Sequence, residues 1–121
     1  MLINKRERHF EFNVQAHNEI ANLCEDGDFA NLGKLYGESS SQRMATTIQL
    51  AIIMNRAYED HRAYDDPSYV KEYLTEEDFR FMPFMDVLQV DKTLSTVMRT
   101  GQETEVDAEP PKGKNGEQAK A

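Results

Sequence analysis

SSSQRMATTIQLAIIMNRAYEDHRAYDDP, residues 39–67, is the stretch whose reading decides the fold. Met44, Ala45, Ile48, Ala51, Ile52, Met54, Ala57 and Tyr58 recur at helical spacing, and Leu50 and Ile53 widen the apolar face over most of the girth. A helix that is apolar nearly all round must be enclosed by others, so this one is the central helix of a domain. Ser39 and Gln42 have capping-box spacing at its start, with Ser40 and Ser41 as alternative caps. Its polar end, Glu59-Asp60-His61-Arg62, leads to Asp65-Asp66-Pro67. There proline suits the first turn of another helix and Asp66 its cap.

Upstream, the first 14 residues alternate. Phe10, Phe12 and Val14 fall on one face and His9, Glu11 and Asn13 on the other, the period of a half-buried strand. Leu2 and Ile3 begin a short partner strand, with a turn in the Asn4-Lys5 region. From Gln15 the period becomes helical through Ala16, Ile20, Leu23 and Cys24, and Glu25-Asp26-Gly27 stops it. Asp28 caps a second short helix carrying Phe29, Leu32, Leu35 and Tyr36, which Gly37 closes.

Downstream, Tyr69, Val70, Tyr73 and Leu74 form a short helical face. Thr75 and Asp78 repeat the capping-box spacing ahead of Phe79 and Met82, and Pro83 interrupts that segment. A last helix runs from about Phe84 to Thr100 on Met85, Leu88, Leu94, Val97 and Met98, with Gly101 as its stop. The expected fold is therefore mainly α. It is a small helical domain over residues 1–100, opened by a short N-terminal β strand or hairpin.

The composition breaks at Gly101. All five tyrosines and all six phenylalanines precede it, and Val106 is the only sizeable apolar side chain in residues 101–121. Ordering a backbone costs roughly 1–2 kcal/mol per residue, which so little apolar surface cannot offset. A flexible, disordered polar tail is expected over 101–121.

Charge and cysteine content narrow the function. The net charge is −8, and the tail's five acidic and three basic residues leave −6 on the domain. Nucleic acid repels such a surface, so it is not expected as a partner. No run of about 18 apolar residues is present to span a membrane. MLINKRERH has no apolar stretch behind it and does not read as a secretory signal. The single cysteine, Cys24, fits a reducing cytosol and a buried position on a helix face.

No constellation for catalysis emerges. His9, His17 and His61 lack the spacing of metal ligands and read as surface histidines. Ser39-Ser40-Ser41 reads as helix capping, and no glycine-rich phosphate cradle is present. The acidic pairs at Asp65-Asp66 and Glu76-Glu77-Asp78 read as solvated helix starts. No enzyme, metal or cofactor is expected.

What remains points to binding. Met44, Met54, Met82, Met85 and Met98 stand beside Phe79, Phe81 and Phe84, and methionine adapts to variable partners. FRFMPFM, residues 79–85, holds more apolar side chains than one face of a short helix can bury. Either this is core around a kink or it is an exposed groove. The candidate contact residues are Ile48, Ile52, Met54, Phe81, Phe84 and Met85.

The layout resembles the tail assembly chaperones of long-tailed bacteriophages and prophages, especially those of Gram-positive hosts. The residues that carry the resemblance are FEFNV leading into AHNEIANLC, the short helix closed by Gly37, the helix QRMATTIQLAIIMNRAY, the Leu-Thr-Glu-Glu-Asp start at 74–78, and a final helix before a polar tail rich in Lys and Gly. The resemblance implies a protein without enzymatic activity, made in the infected cell and absent from the mature virion. Its implied partner is the tape measure protein, coated and kept soluble until the tail tube polymerises. A longer, frameshifted form would recruit the tail-tube protein. Lys112-Gly113-Lys114 can be encoded AAG GGA AAA, which contains a slippery heptamer. Many copies on one long partner also imply self-association. Two other readings stay open: a small virion connector, or an acidic inhibitor of a host nucleic-acid-binding protein.

Overall fold

The computed structural model describes residues 1–101. Apart from Gly101, the expected tail and the candidate slip site at 112–114 lie outside the described residues. The protein is mainly α, with a two-stranded N-terminal hairpin. Strands β1 (Leu2–Ile3) and β2 (Arg6–Glu7) pair antiparallel, Leu2 opposite Glu7 and Ile3 opposite Arg6. Asn4 and Lys5 turn between them with φ of 52° and 68°. Positive φ at both central residues matches the twist of the two strands.

The turn and the Leu2–Ile3 strand thus lie where the sequence puts them, but the alternating strand expected through Phe10, Phe12 and Val14 does not form, and Arg6–Glu7 pairs with β1 instead. Residues 8–10 belong to no strand, although the Arg8 N–H donates to the Met1 carbonyl (2.7 Å) beside the hairpin. The Glu11 N–H donates to the Met54 carbonyl (3.1 Å) and the Phe12 N–H to the Gly101 carbonyl (2.7 Å). Phe10 is buried and Phe12 half-buried, whereas Val14 is exposed because it is already the first residue of a helix. That helix, α1 (Val14–Leu23), starts where the Asn13 side chain accepts from Ala16 N. Ala16, Ile20 and Cys24 face inward as their spacing predicts.

Asp26 and Gly27 reverse the chain at φ of 61° and 65°. The Asp28 side chain then caps a 3₁₀ turn, Phe29–Asn31, which runs into α2 (Leu32–Tyr36), closed by Gly37 at φ 67°. Helix α3 (Ser40–Asp65) follows, its first turn capped by the Ser39 side chain on Gln42 N. Half of the expected capping box forms, because the Gln42 side chain bonds Leu35 O instead of returning to Ser39. Helices α1, α2 and α4 (Phe84–Thr100) all pack on α3. It buries side chains around most of its girth between Thr46 and Glu59, leaving Gln49 exposed on the remaining side.

The helix expected after Pro67 does not form. Residues 66–75 run as a strap over α3 without helical structure. Asp65 and Asp66 therefore end a helix instead of starting one. The Asp66 side chain accepts from Ser68 N and Oγ (3.0 and 2.7 Å), turning the chain locally. Farther along, two buried side chains of α3 supply acceptors. Glu59 takes the Glu72 N–H (2.9 Å) and the Tyr69 hydroxyl (3.0 Å), and Asn55 takes the Leu74 N–H (2.8 Å). Those bonds replace the ones a helix would have made, and Leu74 is delivered to the core. Buried Arg8 ties the strap from its other side by donating to the Glu72 carbonyl (2.7 Å).

Candidate partner-binding surface

The surface in question is built where the strap becomes α4. Thr75 and Asp78 form the reciprocal cap their spacing predicts, opening a 3₁₀ turn, Glu76–Phe79. That turn buries Phe79, and the following turn closes with Met82 N on Phe79 O (3.0 Å). Pro83, at φ −59°, cannot continue it and instead starts α4, its carbonyl accepting from Asp86 N (2.9 Å). The abrupt change of direction throws Phe81 outward, 84 % exposed, while Val87, Val90, Leu94 and Val97 turn inward. Phe84, Met85 and Leu88 lie on the outer side of the first turns of α4, at 47 %, 66 % and 40 % exposure. The sequence reading that put Met85 and Leu88 on the inner face is thus corrected. Val87 and Val90 take their place, beside Leu94 and Val97, which face inward as their spacing predicts.

The six candidate contacts divide three ways. Phe81, Phe84 and Met85 form one exposed apolar strip. Ile48 and Ile52 are half-buried against the core, and Ile52 lines a separate hollow between α1 and α3 with Leu23. Met54 is fully buried and can touch no partner of the folded chain. Two further residues belong with the strip but were not assigned to it from sequence, exposed Leu2 and Leu88. Nothing local distinguishes Leu2. It enters because the hairpin folds beside residues 77–86.

Two hollows flank the strip. The larger, about 470 Å³, lies between the hairpin turn and the Phe81–Pro83 bend. The smaller, about 50 Å³, lies between the first turns of α3 and α4 and is lined by Met44, Thr47, Phe84 and Leu88. Asp91 at its edge accepts from Tyr36 Oη (3.2 Å) and Thr47 Oγ1 (3.3 Å). Burial, then the Asp91 charge, pushes the Tyr36 phenol above its ordinary range. That carboxylate is held by these two hydrogen bonds.

The groups weighed for chemistry sit elsewhere. His9 is half-buried against Tyr58 (ring centroids 5.0 Å apart), departing from the surface position expected of it. His17 is exposed, its ring 5.2 Å from that of Phe29. His61 Nδ1 lies 2.8 Å from Glu11 Oε2 and its Nε2 lies 3.3 Å from Asp65 Oδ2. Only the imidazolium can donate from both nitrogens, and Glu11, by its hydrogen bond and its charge, raises the His61 pKa. Cys24 is buried, donates to Ile20 O (3.3 Å), and has its thiol pKa raised by burial. Among the described residues, no group of three or more His, Cys, Asp or Glu is placed to hold a metal ion. Nor is any helix there long and apolar enough to cross a membrane.

Comparisons with protein-family models, with characterised proteins and with solved structures gave no match.

Proposed function

We propose that this chain is a tail assembly chaperone without enzymatic activity, which binds the tape measure protein and keeps it soluble in the host cytoplasm during tail morphogenesis. The observation that carries the reading is the exposure of Phe81, in the bend before α4, and of Phe84, Met85 and Leu88 on its first turns. Large apolar side chains gathered on one surface are costly unless covered, and phenylalanine with methionine suits a partner helix of variable shape. The resemblance of the layout to that family supplies the partner. On this reading the chain is absent from the mature virion, and a longer frameshifted form recruits the tail-tube protein.

Co-expression with a fragment of the long helical protein encoded downstream tests the proposal. The expected result is a soluble fragment that co-purifies with several copies of this chain. An insoluble fragment that does not co-purify would overturn the role. Recovery of the chain in purified virions would favour the connector alternative.

A further inference from the structure

We infer that the hollow between the hairpin and the start of α4 accepts a basic amphipathic helix, apolar on one face with Lys or Arg along its edges. The inference rests on the chaperone reading for its biological partner and adds the chemistry of the segment recognised. Leu2, Phe81, Met82 and Pro83 supply the apolar part of the lining, and polar or charged residues supply the rest. At about 470 Å³ the hollow has room for several side chains of a helix face.

The charges around it set the sign of the partner. Three carboxylates line the hollow, Glu77, Asp78 and Asp86, against one cation, Lys5. Asp78 is already engaged by Asn4 (3.0 Å), by Thr75 N (2.9 Å) and more distantly by Arg8 (3.8 Å). Among the described residues, Glu77 meets only Arg80, at 3.4 Å, in an exposed pair that water screens, and Asp86 forms no ion pair. Glu77 and Asp86 therefore remain available to an incoming ammonium or guanidinium group. The long-range field has the same sign, since the chain carries −8 overall. Local and global electrostatics agree, and a helix edged with Glu or Asp would be opposed by both.

The test uses the full chain and two synthetic helical peptides about 18 residues long, some five turns. They share one Leu/Met face and differ only in carrying Lys or Glu along its edges. The Lys peptide is expected to bind at least tenfold tighter at low salt, and the preference should shrink as salt shortens the Debye length from about 10 Å to about 3 Å. In the double variant Glu77→Lys/Asp86→Lys the preference should reverse. Glu77→Gln/Asp86→Asn, which leaves the helix start less disturbed, should abolish it. Glu38→Lys, on an exposed residue outside the hollow, should leave it nearly unchanged. Equal affinity for both peptides, or equal loss of preference in Glu38→Lys, overturns the inference. So does failure of both peptides to bind while the tape measure fragment still co-purifies, in which case the chaperone reading stands. Binding of the Lys peptide without co-purification of the fragment supports this inference and removes the reading on which its biological partner rests.

Discussion

Asn55→Ala removes a side chain that holds two separate segments on the central helix. Asn55 is fully buried, donates from Nδ2 to the His9 carbonyl (3.0 Å), and accepts at Oδ1 from Leu74 N (2.8 Å). Alanine removes a part-buried bond at the His9 carbonyl and leaves the buried Leu74 N–H without its acceptor beneath the strap. The unmet N–H costs about 1–3 kcal/mol and the lost bond about 1 kcal/mol more, so about 2–4 kcal/mol is at stake. Domains of this size are stable by about 5–15 kcal/mol, so the loss is a large fraction of the whole. At about 4–8 °C per kcal/mol, Tm should fall by about 10 °C or more. Urea unfolding followed by circular dichroism measures the stability, and hydrogen exchange at the Leu74 amide reports the strap directly. The Leu74 amide should lose protection by more than neighbouring core amides do. A midpoint within the error of wild type would refute the argument that this side chain ties down the strap. A loss of stability with the Leu74 amide still protected would place the cost in packing.

Three further outcomes are expected. Phe81→Asp and Met85→Asp alter exposed side chains, so thermal stability should change by no more than about 0.5 kcal/mol while capture of the tape measure fragment is lost; a collapse in Tm would place them in packing instead. Gly37→Ala puts a Cβ on a residue at φ 67° and against the Gln42 side chain, so denaturant titration should show a loss of about 1–3 kcal/mol, and an unchanged midpoint would contradict the strain. His61 has its pKa raised by Glu11, so the stabilisation is complete below its unfolded value of about 6.5 and fades as pH rises through the raised folded value. The urea midpoint should therefore decline over that window in wild type and decline less in His61→Gln; parallel profiles would show that the Glu11–His61–Asp65 contact contributes nothing.

The amino-acid pattern brought some parts of the molecule within reach and missed others. Helix α4 runs from Phe84 to Thr100 as its punctuation predicts, because Pro83 and Gly101 act on the backbone locally. The same holds for the Thr75–Asp78 cap, for Asp28 and for the closure at Gly37. The exposed apolar surface was half legible. Excess apolar residues in FRFMPFM announced that something must stay outside, and Phe81, Phe84 and Met85 do. Met54 was misjudged because in a helix apolar all round, spacing cannot tell which side faces a neighbour. One sign of the strap was present in the sequence, a polar Asn55 within the apolar run IIMNRAY. A mid-helix asparagine among isoleucine and methionine is disfavoured unless a buried partner uses it.

By itself the sequence determined the helical class, the central place of residues 39–65 and most of the chain's stops and starts. These depend on propensity, caps and periodicity, which act over a few residues. Only the tertiary structure decided that residues 66–75 are a strap, that Met54 is core, and that Leu2 borders the same hollow as Phe81. Each outcome depends on groups distant in the chain: Asn55 and Glu59 reaching Leu74 and Glu72, helices closing around α3, a hairpin folding against residues 77–86. Hydrogen-bond competition and burial are settled by what comes into contact in space, and local spacing carries no record of it.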